Sequence, residues 1–222
     1  MNRILPILAL LLLAACAPQT PPETPAAIQN ILFIIGDDHS AEVLGAYGNP
    51  LVRTPNLDRL AGQGIRFTRA YANSPLCSAS RQSFLTGRYP HATGVTLLTT
   101  SFPEENLTVA EHLKAYGYHT AAIGKMHFNN KEKHGFDTLV ERNTYREWLA
   151  EHPARPVPDS IAVRPQWKPF RDPANIWLNA DAYPGGYYDE DDIGTFYART
   201  AIDFLEKHKD DKFCMWVSFH EP

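Results

Sequence analysis

The chain has 222 residues, a formal net charge of −4, 44% hydrophobic residues and 21% charged ones. This is globular composition, long enough for one domain with a real core. The weak acidity, with Lys and Arg interleaved among Asp and Glu, excludes a general nucleic-acid binder.

The first residues read as an export signal. Arg3 precedes an apolar run over residues 4–13 that is too short to span a bilayer. Leu13-Ala14-Ala15-Cys16 follows and resembles the bacterial lipobox, in which the cysteine is lipidated and becomes the mature N-terminus. A plain signal peptide cut at a nearby small residue is the alternative, and either one exports the chain. Residues 1–16 are thus the lipoprotein-type signal with Cys16 as the lipidated residue, and residues 17–28, with Pro18, Pro21, Pro22 and Pro25, are a semi-rigid tether. The expected location is periplasmic or cell-surface, with membrane contact only through the lipid. Ala17 after the cysteine favours the outer membrane. The catalytic domain is expected over residues 29–222.

Residues 31–35 form a continuous apolar run ending at Gly36, a buried parallel strand that leaves Asp37-Asp38 at its carboxyl end. Thr54-Pro55-Asn56 opens a helix that stops near Gly62 and Gly64. Residues 65–71 alternate apolar and polar and read as a strand or extended segment. A helix is predicted from Cys77 to Thr86, closed by Gly87, and another from the capping box Thr108-Val109-Ala110-Glu111 to Gly117. Residues 119–123 are a strand with Gly124-Lys125-Met126-His127 at its end. Residues 195–208 are an amphipathic helix, and residues 213–219 a buried strand followed by His220. The rhythm predicts an α/β fold, a doubly wound, mostly parallel sheet flanked by helices. Residues 151–186 are Pro-rich and irregular, a lid or an insertion. Trp148, Trp167 and Trp177, in or near this segment, either line a cleft or pin it to the core.

Of the three cysteines, Cys214 lies inside an apolar run and reads as a buried small hydrophobe. Cys77 sits in a polar stretch of small residues, near a helix start and one turn before Arg81, a setting that suits either a nucleophilic thiol or an inert one. Adjacent Asp37 and Asp38 repel each other unless a cation sits between them or one is protonated. Oxygen-only ligands suit Ca²⁺ or Mg²⁺.

Cys77-Ser78-Ala79-Ser80-Arg81 followed by Thr86-Gly87-Arg88 resembles the signature of the type I, formylglycine-dependent sulfatases of the alkaline phosphatase superfamily. Residues 30–38, Thr54-Pro55-Asn56, Gly124-Lys125-Met126-His127, His134-Gly135-Phe136-Asp137 and Ser218-Phe219-His220-Glu221-Pro222 resemble further landmarks of that family, in family order. Ala79 stands where Pro is commoner.

The resemblance implies an alkaline-phosphatase-like fold and hydrolysis of a sulfate ester on a small molecule or glycan. It implies that Cys77 is oxidised to formylglycine by a maturation enzyme, with Asp37, Asp38 and the modified Cys77 ligating Ca²⁺, or Mg²⁺. Arg81 would hold the formylglycine. Lys125 and His220 would contact the sulfate or protonate the leaving oxygen, and His127 would help regenerate the aldehyde. Family members continue beyond the landmark at Pro222 with further metal ligands and a second lysine. The expectation is therefore an unpaired sheet edge, exposed apolar surface and little activity for this chain alone. A phosphate or phosphonate monoester hydrolase of the same superfamily and an inactive, lipid-anchored glycan-binding remnant are the alternatives.

Overall fold

The structure, a computed structural model, describes residues 30–160 and 187–220. The lipobox, the tether, Trp167, Trp177 and most of the Pro-rich segment lie outside the described residues.

Among the described residues, four strands form one sheet in the order β1 (Asn30–Ile35), β4 (Phe213–Ser218), β2 (His119–Gly124), β3 (Thr138–Val140). Every pairing is parallel. The runs over residues 31–35 and 213–218 make strands because both faces of the sheet are covered, which favours unbroken apolar sequence over alternation. The helices are α1 (Pro55–Gln63), α2 (Cys77–Thr86), α3 (Pro90–Thr93), α4 (Val109–Lys114), α5 (Arg142–Glu151) and α6 (Ile193–His208).

Successive strand residues face opposite layers. Ala121, Ile123, Met215 and Val217 pack on Tyr197, Ala201 and Phe204 of α6. Ala122 and Trp216 pack the other way, on Leu85 of α2, Ala110 of α4 and the loop residues Phe102, Phe128 and Phe136. Phe33 stacks on Trp216 at 4.2 Å between ring centroids, so β1 joins this second layer. The sheet is thus wound on both sides, as the pattern predicts.

β1 is the sheet edge among the described residues. Leu32 and Ile34, in register with Met215 and Val217, are 46% and 55% exposed. They stand on the face that α6 covers further along the sheet, and no described residue covers them there.

Of the two readings for residues 65–71, strand or extended segment, the structure gives the second: Ile65, Phe67 and Tyr71 are exposed, no described strand pairs with the segment, and the Tyr47 hydroxyl donates to the Phe67 carbonyl at 2.7 Å in place of a ladder partner. Trp148 lies in α5, a helix absent from the sequence reading. It stacks on Tyr145 and His152 and meets Phe196 of α6, so it pins rather than lines a cleft.

Candidate active site

The register sets the site. Ile35, Ser218 and Gly124 lie level across three adjacent parallel strands. Asp37, Lys125 and His220 therefore leave the sheet at one edge, the carboxyl end where open α/β sheets bind ligands. Gly124 has φ +99°, and a Cβ there would drive into the Ser218 carbonyl. Only glycine fits, and the close approach lets the Lys125 amide donate to the Ser218 carbonyl at 2.8 Å.

α2 brings the signature to the same edge. Cys77 is its first residue, and the N-cap Leu76 offers no side-chain cap. The open amides and the helix dipole place partial positive charge at residue 77, a setting for an anionic group. Ser78 anchors the turn by donating to the Leu97 carbonyl at 3.0 Å, and Ala79 is fully buried. The helix ends at Gly87 in the left-handed conformation, with its amide on the Ser83 carbonyl.

One turn after Cys77, the Arg81 guanidinium is buried. It donates to Asp37 Oδ1 at 2.9 Å, to the Lys125 carbonyl at 2.7 Å and to the Ser218 hydroxyl. The Lys125 ammonium pairs with the second Asp37 oxygen. Burial alone raises the Asp37 carboxyl, but the hydrogen bonds and charges of Lys125 and Arg81 outweigh it and hold the group below the usual carboxylate range. Gln82 is buried beside Arg81 and donates to the Met126 and His127 carbonyls at 3.2 and 3.0 Å, fixing the loop after β2.

Lys125, His127, Asn130, Lys131, Arg142 and His220 line a cleft of about 450 Å³. His127 has φ +60°, uncommon outside glycine, and its Nδ1 is buried without a hydrogen bond among the described residues. Its pKa is lowered by burial, then by Lys125 and Arg81. His220 Nε2 is likewise buried and unpartnered among the described residues, and the ring stacks on Tyr197. Burial first, then Arg142 and Lys125, push His220 down to about 4. Both imidazoles are neutral at neutral pH, in a cleft whose fixed charges are mainly cationic.

Asp37, Arg81 and Lys125 thus form one network, and His127 and His220 share the cleft of Lys125. Cys77 is a free, half-buried thiol with no side-chain hydrogen bond to these groups among the described residues. Asp38 is exposed, at φ +54°, with no side-chain hydrogen bond among the described residues. The expected metal set of Asp37, Asp38 and Cys77 does not converge among the described residues: both Asp37 oxygens are taken by cations. Among the described residues, the one group of three potential ligands that does converge is elsewhere. The donor chemistry of Asp37 and Asp38, paired carboxylates with one exposed, still fits a hard divalent cation. Sequence reasoning missed Gln82, Ser218, Glu141 and Arg142. Gln82 and Ser218 act by burial, which their own residue types do not announce. Glu141, raised by burial, and Arg142 begin the unread helix α5.

A family model described as Sulfatase matches residues 29–222. The N-acetylglucosamine-6-O-sulfatase of Bacteroides thetaiotaomicron is 42% identical over 130 residues, 59% of this chain and 23% of that protein. A solved structure of a protein in complex with its substrate D-glucosamine-2-N,6-O-disulfate superposes with a TM-score of 0.60 at 29% identity, covering 86% of this chain and 34% of the other. The phosphonate monoester hydrolase of Agrobacterium radiobacter has the same fold, with a TM-score of 0.67 at 22% identity over 87% of this chain and 41% of the other. The chain therefore spans between 23% and 41% of the length of these three proteins. The parallel sheet wound on both faces is the alkaline-phosphatase-like fold, and with a family model matched from residue 29 to residue 222, this chain belongs to the sulfatase family.

Proposed function

We propose that the protein is a sulfuric ester hydrolase acting on a sulfated carbohydrate, with Cys77 as the precursor of a formylglycine nucleophile. The observation that carries this reading is the Asp37–Arg81–Lys125 network at three level strand ends, one helical turn from Cys77. A sulfated amino sugar is the favoured substrate class, because the similar proteins named above include an N-acetylglucosamine-6-O-sulfatase and a protein that binds a disulfated glucosamine.

Once converted by a maturation enzyme, Cys77 would supply a hydrated aldehyde: one hydroxyl would attack sulfur as the S–O bond to the alcohol breaks, and loss of the other hydroxyl's proton would re-form the aldehyde as the C–O bond to sulfate breaks. Arg81 fixes the first turn of α2 and neutralises charge beneath residue 77. Lys125, positioned by its pairing with Asp37, sits at the cleft to bind a sulfate oxygen and to give a proton to the leaving alcohol oxygen. His220, neutral at neutral pH, is suited to hydrogen-bond the sulfate rather than to serve as the standing acid. His127, also neutral, is suited to accept the proton of the second hydroxyl. Arg142 and Lys131 extend the anion-binding wall. Asp37 and Asp38 would hold Ca²⁺, or Mg²⁺, which as a Lewis acid polarises a sulfate oxygen.

The test is turnover by protein coexpressed with a formylglycine-generating enzyme, on a sulfate ester and a phosphonate ester of one alcohol. The expected result is faster cleavage of the sulfate, abolished in Cys77→Ala and lost on calcium chelation. Faster cleavage of the phosphonate would assign a phosphonate monoester hydrolase instead. Glycan binding without turnover would assign the non-catalytic reading.

We also propose export as a lipoprotein anchored through Cys16, in the outer membrane, on the strength of the lipobox-like Leu13-Ala14-Ala15-Cys16. Fatty-acid labelling that persists in Cys16→Ala would refute the anchor.

A further inference from the structure

At the opposite end of the sheet, two histidines and a carboxylate converge. His119 is the first residue of β2, His208 the last of α6, and Asp211 lies in the turn before β4. Parallel pairing starts β2 and β4 level, His119 against Phe213, and the His119 amide donates to the Lys212 carbonyl at 2.9 Å. The Asp211 amide donates to the His208 carbonyl at 3.0 Å, which folds the turn back on the helix end. Two stretches far apart in sequence, the start of β2 and the turn from α6 into β4, are therefore locked together by backbone.

Asp211 Oδ2 lies 3.0 Å from His208 Nδ1 and 3.7 Å from His119 Nε2. The three ligand atoms are all within 4.8 Å of one another. Tetrahedral zinc, with bonds of about 2.0–2.1 Å, holds neighbouring ligand atoms about 3.3 Å apart, a spacing that the two separations bracket. The 3.7 Å separation is too long for a hydrogen bond. The gap at His119 has the size of a shared ion and not of a closed polar contact. The imidazoles lie 4.5 Å apart at 34°, and Phe204 packs 4.5 Å from the His208 ring and fixes its plane. His208 is largely covered (13% exposed) while His119 and Asp211 are about half exposed, which leaves an open side for entry and for a water ligand.

We propose that His119, His208 and Asp211 bind Zn²⁺, in a site separate from the candidate active site. Two imidazoles and one carboxylate form a borderline N₂O set that suits zinc and not the hard cation expected of Asp37 and Asp38. The ion ties the start of β2 to the end of α6 and the turn into β4. Because the three ligands meet only in the folded chain, zinc stabilises that state.

The test is calorimetric titration of metal-stripped full chain with Zn²⁺, alongside the visible spectrum with Co²⁺ as a geometry probe. The expected result is one ion per chain, tetrahedral Co²⁺ bands, a raised melting temperature, and affinity weakened about tenfold or more in His119→Gln and in Asp211→Asn. Asp38→Asn, at an exposed carboxylate of the other candidate cation site, is expected to leave zinc binding intact. Zinc binding unchanged in both His119→Gln and Asp211→Asn, or abolished in Asp38→Asn, would overturn the proposal.

Discussion

Asp37 is a single carboxylate carrying two cations, and that makes it the residue on which the site depends. Arg81 is buried and has no other anionic partner among the described residues. Removing the negative charge leaves a buried guanidinium uncompensated, which typically costs about 3–5 kcal/mol. Asp37→Asn is expected to lower the unfolding free energy by about that much in a denaturant titration, and a loss under 1 kcal/mol would contradict it. Gln82 works through carbonyls rather than charge. Gln82→Leu strands the Met126 and His127 carbonyls, with an expected loss of about 1–3 kcal/mol and a fall in activity through misplacement of Lys125 and His127. The histidines set the acid limb of stability. His220 falls from 6.5 to about 4 on folding, and His127 is lowered as well. The unfolded chain therefore binds protons first, and their contribution is complete above about pH 6.5 and is lost as pH falls toward 4. Asp37, also lowered, adds its loss only below its ordinary value of 3.8. Stability measured between pH 7 and pH 4.5 is expected to fall, and to fall less steeply in His220→Asn. An identical slope would refute the assignment.

The elements that place these residues differ in how plainly the sequence announces them. β1 and β4 are continuous apolar runs, and the capping box of α4 is formed as read, Thr108 accepting from the Glu111 amide and Glu111 from the Thr108 amide. Thr108 is also buried and donates to the His134 carbonyl at 2.8 Å, so it joins α4 to the loop before β3. Thr108→Ala is expected to cost about 1–2 kcal/mol, more than an exposed cap, measured by the shift in urea midpoint. β3 has only three residues, too few for a period, and α5 buries only Tyr145, so neither carries the apolar repeat that marks a core element. The segment at residues 65–71 is the converse. Its alternation satisfies the strand pattern, but pairing is a property of the sheet and not of the segment.

At the scale of the whole molecule, the residues singled out from the sequence gather at one sheet edge because of register, which no local pattern encodes. Asp37, Lys125 and His220 come from three strands whose ends the pairing makes level. Arg81 reaches them from α2, and Cys77 rides one turn behind it. Gln82 and Ser218 were illegible because their roles consist of buried hydrogen bonds made across the fold. At the sheet edge formed by β1, Leu32 and Ile34 are half exposed, an apolar strip that no described element covers. The account rests on what becomes of Cys77, and mass spectrometry of its peptide, after coexpression with a formylglycine-generating enzyme, tests it most directly. The predicted result is a peptide in which the thiol sulfur is replaced by an aldehyde oxygen and which reacts with a hydrazide probe. A peptide carrying only the unmodified thiol would contradict it.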